Sequence, residues 1–508
     1  MRVEVTLVDP LWDMRSDVVL DADDITPTGE VLDELIDVLA APASAEVISL
    51  AGRIQRVDPG PEARRRILYL GGEVLDPDVP IAESGIKEGS LIAVGDPAAS
   101  VLTEPEGEIE IWVVTGPGAG TVHRLSAGEA TVGSDPSCVV ALHDDRVPPV
   151  CVAMTVNADG SVTVRPADDA AIVLAETVPH ADPALAMDRE TLAANEDTQW
   201  PVGAQLTVGE IRLELAEVTL PDAAIEDSPE PGWYDYNRPP RLLPPERQTR
   251  FGLPSPPNED QNRGIPWLMV VAPIALGGVM AYFFGPRMLV MMFFSPIMMI
   301  GNYLQSKRSG KLTHRQQLAD YKDKKARIEA DVAQAVIDER LARRLEAPDP
   351  SLVLLIASGP RMRLWERRTT DPDYLSLRLG VGDLESEVTV TDPEQLEHKR
   401  QTIRTAYDVP VTIPLAERGV VGIAASGDLP RRLACWAVAQ LAVLQSPRDT
   451  QIYVLTDPGG APYWDWLRWV PHAQPQMGQD TMVTIGVDTE TWARRVAELS
   501  RVLVRLPM

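Results

Sequence analysis

The sequence is poor in cysteine. Its 508 residues include three cysteines, Cys138, Cys151 and Cys435, and none of them forms a Cys-x-x-Cys pair. Such a chain lacks the disulfide framework of small secreted domains, and His143 alone does not complete a zinc site with two of the cysteines. The composition therefore predicts a protein of a reducing compartment that holds no metal ion.

Aromatic and basic residues are also scarce. Aromatic residues make up 5% of the chain against 45 prolines, which indicates several small domains joined by Pro-rich connectors. Asp and Glu outnumber Lys and Arg by 75 to 47, and the net charge of −28 is concentrated before residue 231. Because nucleic-acid affinity depends on basic residues that neutralise phosphates, we expect no nucleic-acid partner. The acidity suits a soluble surface or a basic protein partner.

Two apolar runs without charge occupy residues 266–284 and 288–304, separated by Gly285-Pro286-Arg287. Each approaches the roughly 20 residues that a helix needs to cross a bilayer core, so they predict a two-helix transmembrane hairpin. Basic residues flank the pair, and the first residues lack a signal peptide. By the positive-inside rule we expect a bacterial plasma membrane protein with both termini in the cytoplasm. The alternative is a buried helical hairpin of a soluble domain.

Residues 1–97 have the pattern of a small α+β domain. Val3, Val5 and Leu7 alternate with polar residues, as in a half-buried strand, and apolar residues at helical spacing follow between Leu32 and Leu39. The stretch LYLGGEVLDPDVPIAESGIKEGSLIAVG resembles a ubiquitin-like β-grasp domain. The resemblance implies a protein-binding module.

Residues 108–216 predict an all-β domain, because short alternating strands are separated by Gly- and Pro-rich turns. The layout resembles a forkhead-associated (FHA) sandwich, a fold that binds phosphothreonine through an Arg and a Ser. At the matching positions here Ser134 follows Gly133, and Pro148 and Cys151 stand where Ser and His are expected. The resemblance therefore implies a degenerate FHA phosphate site without its cation.

Two segments connect the predicted domains. Residues 217–262 form a Pro-rich linker that we expect to be extended, and its YNRPPR segment suits either a solvated linker beside anionic headgroups or a docking segment. Residues 305–346 contain mostly charged residues and alanine with a sparse apolar stripe. They predict a helical stalk that associates with itself or with a neighbouring element.

Residues 350–508 predict an α/β domain with a degenerate P-loop-like segment. Apolar runs at 352–357, 420–424 and 451–455 suit buried strands, and residues 433–444 suit a helix. Gly422 and Gly427 have the spacing of a nucleotide-binding loop, but Asp428 and Leu429 replace its Lys and Ser or Thr. We therefore assign no catalytic residue and expect no ATP hydrolysis at this loop.

Five motifs together carry a family resemblance: YNRPPR (236–241), LWERR (364–368), VPVT (409–412), LQSPRD (444–449) and the WDWLRWVPH segment (464–472). With the predicted domain order, they resemble the EccC/EssC coupling ATPases of type VII secretion systems, of the FtsK/SpoIIIE family, and the FHA-like front end is closer to the EssC branch. The resemblance implies a hexamer, membrane partner subunits and export of small helical-hairpin substrates. It also implies ATP as the cofactor of later ATPase domains, which we expect beyond Met508.

The sequence thus favours the membrane-anchoring, regulatory N-terminal half of a type VII secretion motor. One alternative is a membrane-tethered FHA signalling adaptor that binds phosphothreonine or an unphosphorylated partner. Another is a DNA translocase, which the acidic front half disfavours.

Overall fold

The chain is organised as a series of domains around one long helix. The computed structural model describes residues 1–10, 14–40, 67–101, 107–167, 170–177, 187–243, 246–257, 289–397, 400–476, 479 and 481–505, with isolated residues between 271 and 285. In chain order these residues form an α+β domain, a β-sandwich, a connector, the long helix, a β-hairpin and a small C-terminal region.

The first domain is a five-stranded sheet in the order β2-β1-β5-β3-β4. Its elements are β1 (Arg2–Asp9), β2 (Met14–Asp21), α1 (Thr28–Ala40), β3 (Leu68–Leu70), β4 (Glu73–Val74) and β5 (Leu91–Val94). The alternation in β1 buries Val3, Val5 and Leu7 in one core with Leu35 of α1. Strands β1 and β5 pair in parallel at the centre, which is the strand order of a β-grasp sheet.

The second domain is a sandwich of two sheets. One contains, in order, β14 (Thr198–Trp200), β11 (Val162–Pro166), β10 (Val152–Val156), β8 (Gly128–Gly133) and β9 (Val140–Ala141). The other contains β13 (Met187–Thr191), β12 (Ile172–Thr177), β15 (Gln205–Val208), β16 (Ile211–Glu217), β6 (Ile109–Thr115) and β7 (Val122–Leu125). Alternate residues of both sheets share one buried core, as period-2 strands require. The predicted all-β sandwich is confirmed.

The connector after the sandwich is docked on its neighbours. It forms β17 (Ile225–Asp227), β18 (Tyr234–Tyr236) and β19 (Arg250–Gly252), and β19 pairs in parallel with β20 (Ser376–Thr391). The Gly232 carbonyl accepts a hydrogen bond of 2.8 Å from the Glu88 amide of the first domain. These contacts hold both ends of the connector against other parts of the chain.

The long helix α2 (Leu289–Glu346) has 58 residues. Val332 and Val336 near its C-terminal end pack with Phe251 of β19 and with Val388 of β20 in a small core. Strand β20 pairs along its length with β21 (Gln401–Pro414) to form the hairpin beneath this end of the helix.

The predicted transmembrane hairpin is wrong, and so is the membrane location that it implied. Among the described residues, no helix is long and apolar enough to cross a bilayer. The first predicted span, 266–284, lies mostly outside the described residues. The second, 288–304, coincides from Leu289 with the start of α2, which continues without interruption through Lys307 and Arg308. About 16 apolar residues therefore precede the charged part of one helix, fewer than the roughly 20 that a bilayer core requires. The predicted stalk, 305–346, belongs to this same helix.

The C-terminal region differs from the predicted nucleotide-binding core. Its helices are α3 (Pro350–Ala357), α4 (Leu415–Arg418), α5 (Leu429–Leu444) and α6 (Thr489–Arg505), and its short parallel pair is β22 (Val454–Leu455) with β23 (Ile485–Gly486). The run 352–357, predicted as a strand, belongs to helix α3. Asp349 caps this helix by accepting hydrogen bonds from the Ser351 and Leu352 amides, and Pro350 occupies the first turn.

The second predicted strand, 420–424, forms no strand, and Val420 is 86% exposed. Short apolar runs are compatible with several structures, and pairing decides between them. Here β20 and β21 pair with each other, and neither run contributes a strand to a sheet. The helix predicted at 433–444 is confirmed within α5.

One buried carboxylate joins the sandwich to the rest of the chain. Asp408 of β21 is 2% exposed and accepts hydrogen bonds from Arg212 of β16 and from Arg340 and Arg344 of α2, the last two at 3.2 and 3.4 Å. Its amide donates to Asp383 at 3.0 Å. Burial opposes ionisation of Asp408, but the three arginines lower the pKa of the carboxyl group below its ordinary value.

Replacing this carboxylate is expected to destabilise the chain. Asp408 has a φ of 59°, which asparagine tolerates, so Asp408→Asn removes the charge while it keeps the backbone. Loss of one partner from a buried ion cluster costs about 3–5 kcal/mol, measurable as the change in free energy of urea unfolding. The matched control is Asp197→Asn, whose exposed pairing with Arg165 contributes little.

The pH dependence provides a second readout of the same variant. Because the folded pKa of Asp408 is lowered, its contribution to stability is full above the unfolded pKa of about 3.9 and is lost as the pH falls through the folded pKa. The stability difference between wild type and Asp408→Asn should therefore narrow below about pH 4. Equal stability of the two proteins at pH 7 would contradict the role of this cluster.

Candidate functional site

The predicted nucleotide loop is an exposed segment without a flanking strand. A methyl group on Gly422 would meet no atom within 4 Å, and Gly427 adopts a φ of +69°. Asp428 precedes α5, and its carboxylate accepts hydrogen bonds from Arg432 and Arg431, which lower its pKa. Leu429 is 59% exposed. The four residues lie together, but they form no phosphate cradle.

The residues of the predicted FHA phosphate site lie together at the end of β8. A methyl group on Gly133 would lie 2.0 Å from the Pro149 carbonyl oxygen, so close packing requires glycine here. Ser134 Oγ donates to the Val147 carbonyl at 2.8 Å, and the Ser134 amide donates to the Pro148 carbonyl at 3.0 Å. Cys151 is fully buried in the sandwich core. The Ser134 hydroxyl is therefore already used within the protein.

The nearest arginine in sequence to this loop is also engaged. The Arg146 guanidinium lies 2.8 Å from Asp144 and 3.0 Å from Glu210. The hydrogen bonds that Arg146 donates to these two carboxylates raise its pKa. A phosphothreonine would have to compete with two carboxylates for this cation. The degenerate phosphate site stays a prediction, which this geometry favours.

Several motifs of the family resemblance meet at one place, which we call the Trp365 junction: residues 236–241, 364–368, 445–449 and 472. Trp365 itself has a φ of 55°. Its ring lies edge-on to Tyr236 and to His472, with centroids 5.7 and 6.1 Å away, and its indole N–H donates to the Ala442 carbonyl at 3.0 Å. Segments more than 200 residues apart in sequence thus share one indole ring.

The connector is bound to the junction by hydrogen bonds from its YNRPPR segment. Tyr236 Oη lies 3.0 and 3.1 Å from the carbonyl oxygens of Met362 and Leu364, to which it can donate. Arg238 donates to the Trp365 carbonyl at 3.1 Å. Because these acceptors are main-chain atoms, the connector recognises the shape of the 362–365 backbone.

Asp373 is the shared anion of the junction. Arg241 donates two hydrogen bonds of 2.6 Å to it, and the Arg367 guanidinium lies 3.0 Å away. Arg367 is 2% exposed and also donates to the Ser376 and Glu346 carbonyls. Burial opposes ionisation of Asp373, but the two arginines lower its pKa. This carboxylate therefore ties the connector to the chain that follows α3.

His472 closes the junction on the side of the C-terminal region. It is 1% exposed, and its Nε2 lies 2.9 Å from the Gln445 carbonyl oxygen. Burial lowers the pKa of His472, and the hydrogen bond to this carbonyl opposes the shift. A neutral imidazole that donates to a carbonyl is a structural element of the packing.

The chemistry of the junction is that of a positioning element. Its cations and anions pair with each other or with main-chain carbonyls, and the described residues contain no cluster of His, Cys, Asp or Glu able to hold a metal ion. Within the described part of the junction no nucleophile lies beside a free base. The arrangement therefore fixes the relative position of chain segments.

Sequence reasoning missed the residues that form the buried ion pairs. Arg241 and Arg367 lie inside motifs of the family resemblance, whereas Asp373, Asp408 and Arg340 lie outside these motifs. One sequence signal could have found them, namely a charged residue inside an apolar segment. An arginine or aspartate among buried strand or helix residues needs a partner. Sequence does not indicate which distant residue that partner is.

Proteins of ESX secretion systems that are similar in sequence support the resemblance to the EccC/EssC proteins. EccC of the ESX secretion system from Thermomonospora curvata is 30% identical over 192 residues, which are 35% of this chain and 14% of that protein. YukB of the Bacillus subtilis ESX system is 23% identical over 352 residues, 62% of this chain and 22% of YukB. EccC4 of the Mycobacterium tuberculosis ESX-4 system is 29% identical over 160 residues, 29% of this chain and 13% of EccC4. The matches thus span less than a quarter of each relative's length.

Similar solved structures are short domains. An FHA domain from Chlamydia trachomatis is 15% identical and covers 22% of this chain and all of that domain, with a TM-score of 0.18. The cytoplasmic domain of PscD, a type III secretion sorting platform protein from P. aeruginosa, is 18% identical and covers 24% of this chain and 96% of that domain, also with a TM-score of 0.18. TM-scores this low support no conclusion about binding.

No protein-family model matches the chain. The resemblance therefore rests on the named relatives and on the motifs that meet at the Trp365 junction. In sequence, this chain is similar to the EccC and YukB proteins of type VII (ESX) secretion systems.

Proposed function

We propose that this chain is the regulatory and coupling part of a type VII (ESX) secretion motor, and that it performs no nucleotide chemistry at its own loop. The observation that carries the proposal is the Trp365 junction. There four of the five motifs of the family resemblance meet in one set of contacts, and they position the connector against residues 362–373 and the C-terminal region.

The buried pairing supports a coupling role. A junction whose charges are satisfied inside the protein transmits position, because moving one segment leaves a buried ion without its partner. Asp373 and Asp408 each bind arginines from separate segments, so the connector, the sandwich and α2 have one preferred arrangement.

The partners and substrates follow from the relatives and are part of the proposal. We propose assembly with the other subunits of an ESX complex, including further copies of this chain in a hexamer. We further propose that small helical-hairpin proteins are the exported substrates and that ATPase domains outside residues 1–508 supply the ATP hydrolysis. The acidic surface of residues 1–230 suits basic partner surfaces.

Two competing functions receive less support. A phosphothreonine-reading adaptor needs a free hydroxyl and a free cation at the sandwich loops, and Ser134 and Arg146 are both engaged. A DNA translocase needs a basic surface, and the net charge of −28 disfavours one.

The first expected outcome concerns ATP. The purified chain should not release phosphate from ATP. The double variant Asp428→Lys with Leu429→Ser should not gain activity, because residues 420–424 form no strand to hold the loop. A malachite green assay measures both, with Asp428→Ala as the matched variant. If the wild type hydrolysed ATP and Asp428→Ala changed the rate, this loop would act on nucleotide.

The second expected outcome concerns export. Arg241→Ala breaks the connector's bond to Asp373 and should reduce the amount of ESX substrate in the culture medium severalfold in the source bacterium. Mass spectrometry of the medium measures this, normalised to the cellular amount of the chain. The control is Arg165→Ala, which removes an exposed pair on the sandwich. Normal export by Arg241→Ala at a normal protein level would contradict the coupling role.

A further inference from the structure

A cavity of about 470 Å³ lies between the sandwich and the helices of the C-terminal half. Trp112 and Gln205 of the sandwich line one side, and Leu341 of α2 lines another. An adjoining cleft of about 940 Å³ shares Arg212, Arg378 and Val381 with it. Both volumes lie in the range of small-molecule sites, roughly 300–1,000 Å³.

Arg378 lines both spaces, and its backbone is held firmly. The Gln440 side chain of α5 accepts from the Arg378 amide at 2.8 Å and donates to its carbonyl at 2.9 Å, and Trp436 donates to the same carbonyl at 2.8 Å. The β20–β21 register shifts between Arg378 and Gly380. Such an irregularity redirects a side chain, and here it places a guanidinium against the cavity.

The Arg378 guanidinium is buried and lacks a counter-ion. It is 6% exposed, and its Nη1 donates to the Ala347 carbonyl at 2.7 Å, but no carboxylate among the described residues lies within 4.0 Å of it. Burial lowers the pKa of Arg378, and the more distant carboxylates of Asp349, Glu214 and Asp408 oppose this shift. A buried cation without a salt bridge is costly, so this position is suited to an anion supplied from outside the chain.

The other charged groups of the cavity are already paired. Arg212 and Arg344 share Asp408, and Arg344 also lies 3.5 Å from Glu214. The Asp349 carboxylate accepts from the first amides of α3. Among the described arginines that line the cavity, Arg378 is therefore the one that forms no salt bridge.

A second polar group in the cavity lining also lacks a partner. Gln205 is 5% exposed, and its Nε2 donates to Glu214 at 2.7 Å, but its Oε1 is buried with no hydrogen-bond partner among the described residues. A buried amide oxygen without a donor costs about 1–3 kcal/mol. It would accept a hydrogen bond from a hydroxyl group inside the cavity.

We propose that this cavity binds a small molecule that carries an oxyanion and a hydroxyl group, with Arg378 holding the oxyanion and Gln205 Oε1 accepting from the hydroxyl. Arginine suits this role because its planar fork matches a carboxylate or phosphate with two hydrogen bonds. The ligand lies between the sandwich and the C-terminal half, so its binding stabilises the packing of these two parts against each other.

The test uses the full chain with two probes, inorganic phosphate and glycolate, which share an oxyanion and a hydroxyl group. Binding is measured by isothermal titration calorimetry and by thermal shift, against sodium chloride of the same ionic strength. Wild type should bind at least one probe, and Arg378→Gln should weaken that binding about 10- to 100-fold, as expected for losing a charge-assisted pair. Arg165→Gln, at an exposed pair of the sandwich, is the control and should bind as wild type.

A second variant keeps the test decisive if Arg378→Gln folds poorly. Leu341 is 54% exposed and lines the cavity, so Leu341→Trp should fold and fill the space without altering a charge. It should also abolish binding. Binding of phosphate alone assigns a phosphoryl ligand, and binding of glycolate alone assigns a hydroxy acid. Binding of neither probe, or binding that both variants leave unchanged, would overturn the proposal.

Discussion

The structure depends on two carboxylates that several arginines share, Asp408 in a buried position and Asp373 in a partly buried one. Asp408 receives Arg212 from the sandwich and Arg340 and Arg344 from α2, and Asp373 receives Arg241 from the connector and Arg367 from the segment after α3. Neither acid tolerates burial alone, because an ion without a partner in a low-dielectric interior is costly. Each carboxylate therefore needs the arginines of separate chain segments beside it. This requirement, together with apolar contacts, holds the domains in one arrangement.

This constraint explains why the family motifs are spread over the chain yet meet at one place. Tyr236 and Arg238 bind main-chain carbonyls, Trp365 supplies the ring around which they pack, and His472 closes the far side. None of these groups is arranged for bond making or bond breaking. The motifs are better understood as parts that fix the relative position of chain segments, and the chain is similar in sequence to ESX secretion proteins.

Local pattern predicted local structure well. The alternation of Val3, Val5 and Leu7 and the all-β pattern of the sandwich correspond to observed strands, because burying one face of a strand is a local requirement. Several of the apolar runs led to wrong predictions. Residues 352–357 form a helix because Asp349 and Pro350 start one, and residues 289–304 belong to a helix that continues into a charged segment. The roles of Arg378 and Asp408 could not be predicted from the sequence, since they depend on residues far away in sequence.

The length of α2 has a mechanical consequence. A helix of 58 residues is about 87 Å long, and its described contacts extend from Tyr321 to its C-terminal end, where Arg340 and Arg344 meet Asp408. Such a rod is a lever that is held over its C-terminal part. A sideways force near its N-terminal end is transmitted along the helix to the ion cluster beneath the sandwich. A movement of the N-terminal end of α2 can therefore break a few buried salt bridges near its C-terminal end.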